Sequence, residues 1–141
     1  MIRQDYLLRV IQQAVQAIAR MLGATQRGDF LEAQQEADNT YNLLGVPPDL
    51  VLRMDSASLA GLFAQPRKIR LLSKLLWHEG ELLRAKKDPL NGLDRQRRAV
   101  ELLLEAQRLD PQAEDAAALQ EMCRHVPTNT LAKRYQLGFS Q

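Results

Sequence analysis

The chain has 141 residues, 45% of them hydrophobic and 26% charged, and a formal net charge of +2. That length suits a single core of several helices, the seven glycines and six prolines are too few for a disordered chain, and no run approaches the roughly 20 apolar residues of a membrane span. Residues 1–6 carry an early acid, Asp5, and no apolar h-region, so no secretory signal is expected.

Leu7, Val10, Ile11, Ala14, Ile18 and Met21 recur at three-and-four spacing and predict a helix over residues 3–25. Leu8 and Val15 broaden its stripe, which predicts contact on two sides. Gly28 suits a left-handed turn, and Asp29 with Glu32 makes a capping box for a second helix over about 30–44. Its inner face would be Phe30, Ala33, Ala37, Tyr41 and Leu44, and Gly45 followed by Pro47 and Pro48 stops it. Residues 49–65 are the least regular: 50–54 form a turn or two, and Asp55 or Ser56 caps a short helix over 58–64.

Pro66 suits the first position of a helix over about 66–86. Ile69, Leu72, Leu76 and Leu83 form one stripe on it and Leu71, Leu75 and Leu82 another, so it is expected to be gripped on two faces. Residues 88–92 read as punctuation and Asp94 as the cap of the next helix, which runs to about Leu109. Asp110 and Pro111 start a further helix to about His125, and Pro127 and Thr128 begin a last one over about 129–137. No segment alternates polar and apolar residues long enough for a strand. The expected class is all-α, a single helical domain over 1–141 with six or seven helices, mostly antiparallel neighbours.

Trp77, Gly80 and Leu83, followed by Ala99, Leu103, Ala106 and Pro111, resemble one tetratricopeptide-type helical hairpin. Gly80 falls where the first helix of such a hairpin carries its glycine, and the later residues fall at second-helix positions. Trp77 stands one residue out of register, with Leu76 at the expected place, and the loop over 86–96 exceeds the ~34-residue repeat by about seven residues. Gly28, Asp29, Phe30, Ala33 and Ala37 are a weaker echo of a preceding repeat. The chain is also similar to small uncharacterised bacterial helical proteins described as tetratricopeptide-like. The resemblance implies a right-handed stack of hairpins, 1–45 and 66–126 with its following helix, that binds a protein or peptide partner. It also implies that small Gly80 crosses small Ala99.

Catalytic chemistry finds no support. His78 and Glu79 open a zinc-protease signature, but Leu82 stands where the second histidine belongs. Cys123 and His125, two apart, point in different directions on a helix, and the lone cysteine fits a reducing cytoplasm and a packing role. Gly45, Gly61, Gly80 and Gly92 are isolated, so no phosphate-gripping loop is present. No catalytic, metal or cofactor residue is assigned, and a non-enzymatic protein is expected; only a site assembled by the fold would escape this reading.

Charge is unevenly spread: residues 67–98 hold ten basic and four acidic side chains. Arg67, Lys68, Arg70, Lys74, Arg84, Lys86, Lys87, Arg95, Arg97 and Arg98 form either a solvated face or a surface that steers an acidic partner. The leading expectation is a protein–protein interaction module, binding through a groove between the helix over 66–86 and its neighbours. Trp77 and Arg84 would be its anchors and Arg95, Arg97 and Arg98 its basic contacts. The alternative is a nucleic-acid- or anion-binding regulator using 67–98, against which stands an aromatic content of 5%. Self-association through Trp77, giving a homo-oligomer, is a further option; no membrane contact is expected.

Overall fold

The computed structural model describes residues 2–137. Among these there are eight α-helices and no strand: α1 Ile2–Gln26, α2 Phe30–Leu44, α3 Pro48–Arg53, α4 Ser56–Phe63, α5 Pro66–Ala85, α6 Pro89–Leu109, α7 Glu114–Met122 and α8 Lys133–Gln136, with a 3-10 turn at Thr128–Thr130. The all-α class is as expected, with eight helices in place of six or seven. No helix among the described residues is long and apolar enough to cross a membrane.

The caps explain most boundaries. The Asp29 carboxylate accepts from the Glu32 backbone N–H at 3.1 Å and the Asp55 carboxylate from that of Ser58 at 2.7 Å, so α2 and α4 start where an orphan donor finds an acceptor. Gly45, at φ 76°, ends α2 in the left-handed conformation that glycine adopts without a Cβ clash.

α6 departs from expectation. It begins at Pro89, not Asp94, because Asp88 is its cap and Pro89 fills the first position, where a missing N–H leaves no bond unmade. The residues read as a long loop are therefore helix, and only 86–88 connect α5 to α6, turning at Lys87 with φ 65°. α7 is shorter than expected at its start, since the Asp115 carboxylate folds back to accept the Gln112 N–H at 3.1 Å and holds the segment before the helix. The last helix breaks into the 3-10 turn and α8.

α1 and α2 form an antiparallel hairpin, pinned at its rim by Arg20–Glu36 and Arg27–Glu32 and closed by the fully buried Ala14, Ala17, Ala24, Ala33 and Ala37. α5 lies against both of these helices and makes its most extensive contact with α6. α4 and α7 each pack on α6 as well. One apolar cluster runs through the molecule from Ala14 to Tyr135.

Four buried carboxylates lace these layers together. Glu79 of α5 accepts from the Tyr41 hydroxyl of α2 at 2.6 Å and from Arg95 of α6 at 3.2 Å. Glu101 of α6 accepts from Ser56 of α4 at 2.6 Å and from the Ala132 N–H at 2.8 Å. Glu105, one turn on, takes the Tyr135 hydroxyl at 2.7 Å, and Asp115 of α7 takes Arg70 of α5 at 2.7 Å. A buried acid is tolerable only with such partners, and each one fixes a contact between elements distant in sequence.

The α5–α6 crossing corrects one expectation. Gly80 faces Gly92 and Gln96, not Ala99: a Cβ on Gly80 would lie 2.6 Å from Gln96 Cγ and 2.7 Å from the Gly92 carbonyl oxygen. Ala99 lies two turns further along, where its carbonyl accepts the Ser73 hydroxyl at 2.6 Å. The earlier start of α6 brings Gly92 onto the helix and into the crossing.

Candidate partner-binding groove

Arg70, Lys74, Trp77, His78, Glu81 and Arg84 recur along α5 at the spacing of one helical face. Ile69, Leu72, Leu76 and Leu82 take the other face and are fully buried. The outer face looks toward α7, and two depressions of about 330 Å3 each meet there at Trp77. The first is lined by Trp77, Glu81, Arg84, Gln96, Glu121 and His125. The second is more apolar, with Trp77, Leu103, Ala118 and Met122 below Lys74 and His78.

Trp77 is half-buried against the core, its ring 6.1 Å from that of His125 and edge-on at 62°. His78 Nδ1 lies 2.6 Å from Glu81, and Glu121 is 3.4 Å from Arg124 and 3.9 Å from His125. The acids of the first depression are thus engaged locally. The Arg84 side chain makes no hydrogen bond or ion pair among the described residues, and the Lys74 side chain makes none either. Beneath them Gln96 is buried; its amide nitrogen donates to the Trp77 carbonyl at 3.5 Å and its Oε1 has no partner.

Arg95, Arg97 and Arg98 do not join Trp77 and Arg84. Arg95 turns inward to Glu79, with Asp94 at 3.8 Å. Arg97 pairs with Asp94 at 2.7 Å and donates to the Thr130 carbonyl at 3.5 Å. Arg98 donates to the carbonyls of Met54 and Leu52, orphan acceptors at the end of α3. Arg97 and Arg98 line a different cavity of about 480 Å3, between α4, α6 and the segment around α8, where Arg134 joins them and Asp55, Asp94 and Glu101 offset their charge. The N–H and hydroxyl of Ser58 hold the Asp55 carboxyl below its ordinary range. The ten bases of 67–98 are divided between structural and outward roles, a division that no charge count reveals.

Gln96, Met122, Glu121 and His125 belong to the groove although no sequence pattern points to them as groove residues; the first falls in the segment expected to be loop, His125 stands out only beside Cys123, and the last three reach Trp77 only through the placement of α7. Burial pushes the Cys123 thiol up, away from the thiolate that reacts. Among the described residues no group of three or more His, Cys, Asp or Glu side chains is placed to hold a metal. No family model matches the chain, and no curated protein or solved structure matches it.

Proposed function

We propose that the protein is a non-enzymatic, tetratricopeptide-like binding module that takes a segment of a protein partner in the groove between α5 and α7. The observation that carries this reading is Trp77 at the meeting point of two depressions, flanked by Arg84, which has no partner of its own. Trp and Arg are the side chains most enriched at energetically dominant interface positions. An apolar side chain of the partner suits the depression lined by Leu103, Ala118 and Met122, and a hydrogen-bond acceptor suits Arg84. α5 resting on both helices of the preceding hairpin is the relationship that stacked hairpins use to build a continuous surface. The nucleic-acid alternative has less behind it, because Arg95, Arg97 and Arg98 are engaged inside the protein.

A photo-crosslinking residue at Lys74, in cells that express the protein, tests the proposal. A discrete protein adduct that disappears on Trp77→Ala and persists on Lys87→Ala is expected. Adducts indifferent to Trp77→Ala, or nuclease-sensitive adducts only, would overturn it.

A further inference from the structure

The first helix is apolar on two sides, and the fold covers one of them. Val10, Ala14, Ala17, Met21 and Ala24 face the core, whereas Leu8 is 45% exposed and Val15 50%. With the half-buried Ile11 and Leu22 and the exposed Ala19, they form a seam bounded by Gln4 and Gln26. All seven positions fall on one helical face, and residues 10–19 carry no charge at all. A solvated helix face ordinarily carries charged side chains, so this one is built to be covered.

Its pattern names the cover. Counted from Val15, Ile11 and Ala19 lie four residues to either side, Leu8 and Leu22 seven, and Gln4 and Gln26 eleven. The two halves match at Leu8 and Leu22 and at Gln4 and Gln26, and they set a large residue, Ile11, against a small one, Ala19. We infer that the protein pairs with a second copy of itself through the outer face of α1, antiparallel and two-fold symmetric about Val15. In that register Val15 meets Val15, Leu8 meets Leu22, large Ile11 meets small Ala19, and Gln4 meets Gln26, like with like or large into small along ~33 Å of helix. A parallel pair would oppose Ile11 to Ile11 and Ala19 to Ala19, overpacked at one place and empty at another. A lipid surface is disfavoured, since the seam is edged by glutamines where a membrane-surface helix carries Lys and Arg. No groove residue is involved, so the inference stands apart from the function proposed above.

Sedimentation equilibrium of the full chain, from low micromolar to near-millimolar concentration, is expected to show a reversible monomer–dimer equilibrium. Val15→Glu sets like charges on the two-fold axis and is expected to weaken the dimer at least tenfold with unchanged helicity, since Val15 is already half-exposed in the monomer. The register has its own readout in a Cys123→Ser background. Val15→Cys chains should oxidise to a disulfide-linked dimer alone, Leu8→Cys chains should not, and a mixture of Leu8→Cys with Leu22→Cys chains should. A monomer at every concentration, a dimer indifferent to Val15→Glu, or Leu8→Cys self-linking as readily as Val15→Cys would overturn the inference.

Discussion

Gly80 and Gly92 meet across the α5–α6 crossing, where a Cβ on either would stand 2.7 Å from the carbonyl oxygen of the other. Each glycine lies inside a helix, at an intrinsic cost of about 1 kcal/mol relative to alanine, and the close approach of two backbones accounts for it. Replacing Gly80 by alanine therefore gains helix propensity but forces the Gly92 backbone and Gln96 aside. A net loss of ~1–3 kcal/mol is expected, read as a fall in melting temperature. Gly61 is the control: it is helical in α4 with nothing within 4 Å of its would-be Cβ, so Gly61→Ala should raise stability by about 0.5–1 kcal/mol. Equal effects at the two positions would sink the close-contact argument.

The local signals in the chain were legible where one residue decides one boundary. Asp29, Gly45, Asp55 and Pro66 each mark the helix end that the sequence indicates. The segment 88–92 is helix where a loop is expected, for a physical reason: Asp, Pro, Asn and Gly signal a turn or the start of a helix with equal force, and only the partner helix shows that Gly92 is there for contact. The arginines 95, 97 and 98 were illegible in the same way. Their partners, Glu79, Thr130 and the carbonyls of α3, lie between 16 and 46 residues away, and no local pattern carries such distances. In α1 the periodicity of Leu8 and Val15 predicts contact on two sides, whereas both are about half exposed and no element among the described residues covers them.

Tyr41 and Glu79 give a pH signature. Burial, the Glu79 charge and the hydrogen bond to it push the Tyr41 phenol far above its ordinary value of 10.0, and burial with Glu105 does the same for Tyr135. The folded chain thus keeps two protons that the unfolded chain releases near pH 10. This stabilisation is fully present below that pH and declines as pH rises above it, by up to about 1.4 kcal/mol per pH unit for each phenol. Urea titrations from neutral to alkaline pH should show the decline, less steep in Tyr41→Phe. At neutral pH the same variant leaves the buried Glu79 short of its 2.6 Å donor and should lose ~1–3 kcal/mol. A stability profile with the same alkaline slope in both proteins would count against this linkage.

Arg98 and Arg84 separate scaffold from site. Arg98→Ala removes the donors that satisfy the Leu52 and Met54 carbonyls, and orphaned acceptors at a helix end should cost ~1–3 kcal/mol. Arg84→Ala breaks no bond among the described residues and should change stability by less than about 0.5 kcal/mol, while weakening capture of the cross-linked partner. A stable Arg98→Ala, or an Arg84→Ala that unfolds, would reverse the assignment.

Leu76 and Trp77 are neighbours in sequence with opposite expected roles. Leu76 occupies the inward position and is fully buried, so truncation to alanine opens a cavity and should cost ~2–5 kcal/mol. Trp77, one position round the helix, is the larger side chain, yet it faces two open depressions and His125. Its truncation should therefore cost clearly less than Leu76→Ala, against the ~3–5 kcal/mol of a core Trp or Phe. Because the chain has one tryptophan, its fluorescence reports this position alone. Emission is expected between the dry-core and fully solvated limits, quenched by acrylamide in the free protein and protected once the groove is occupied. A Trp77→Ala variant less stable than Leu76→Ala, with an indole dark to the quencher, would return Trp77 to the core and leave the groove without its anchor.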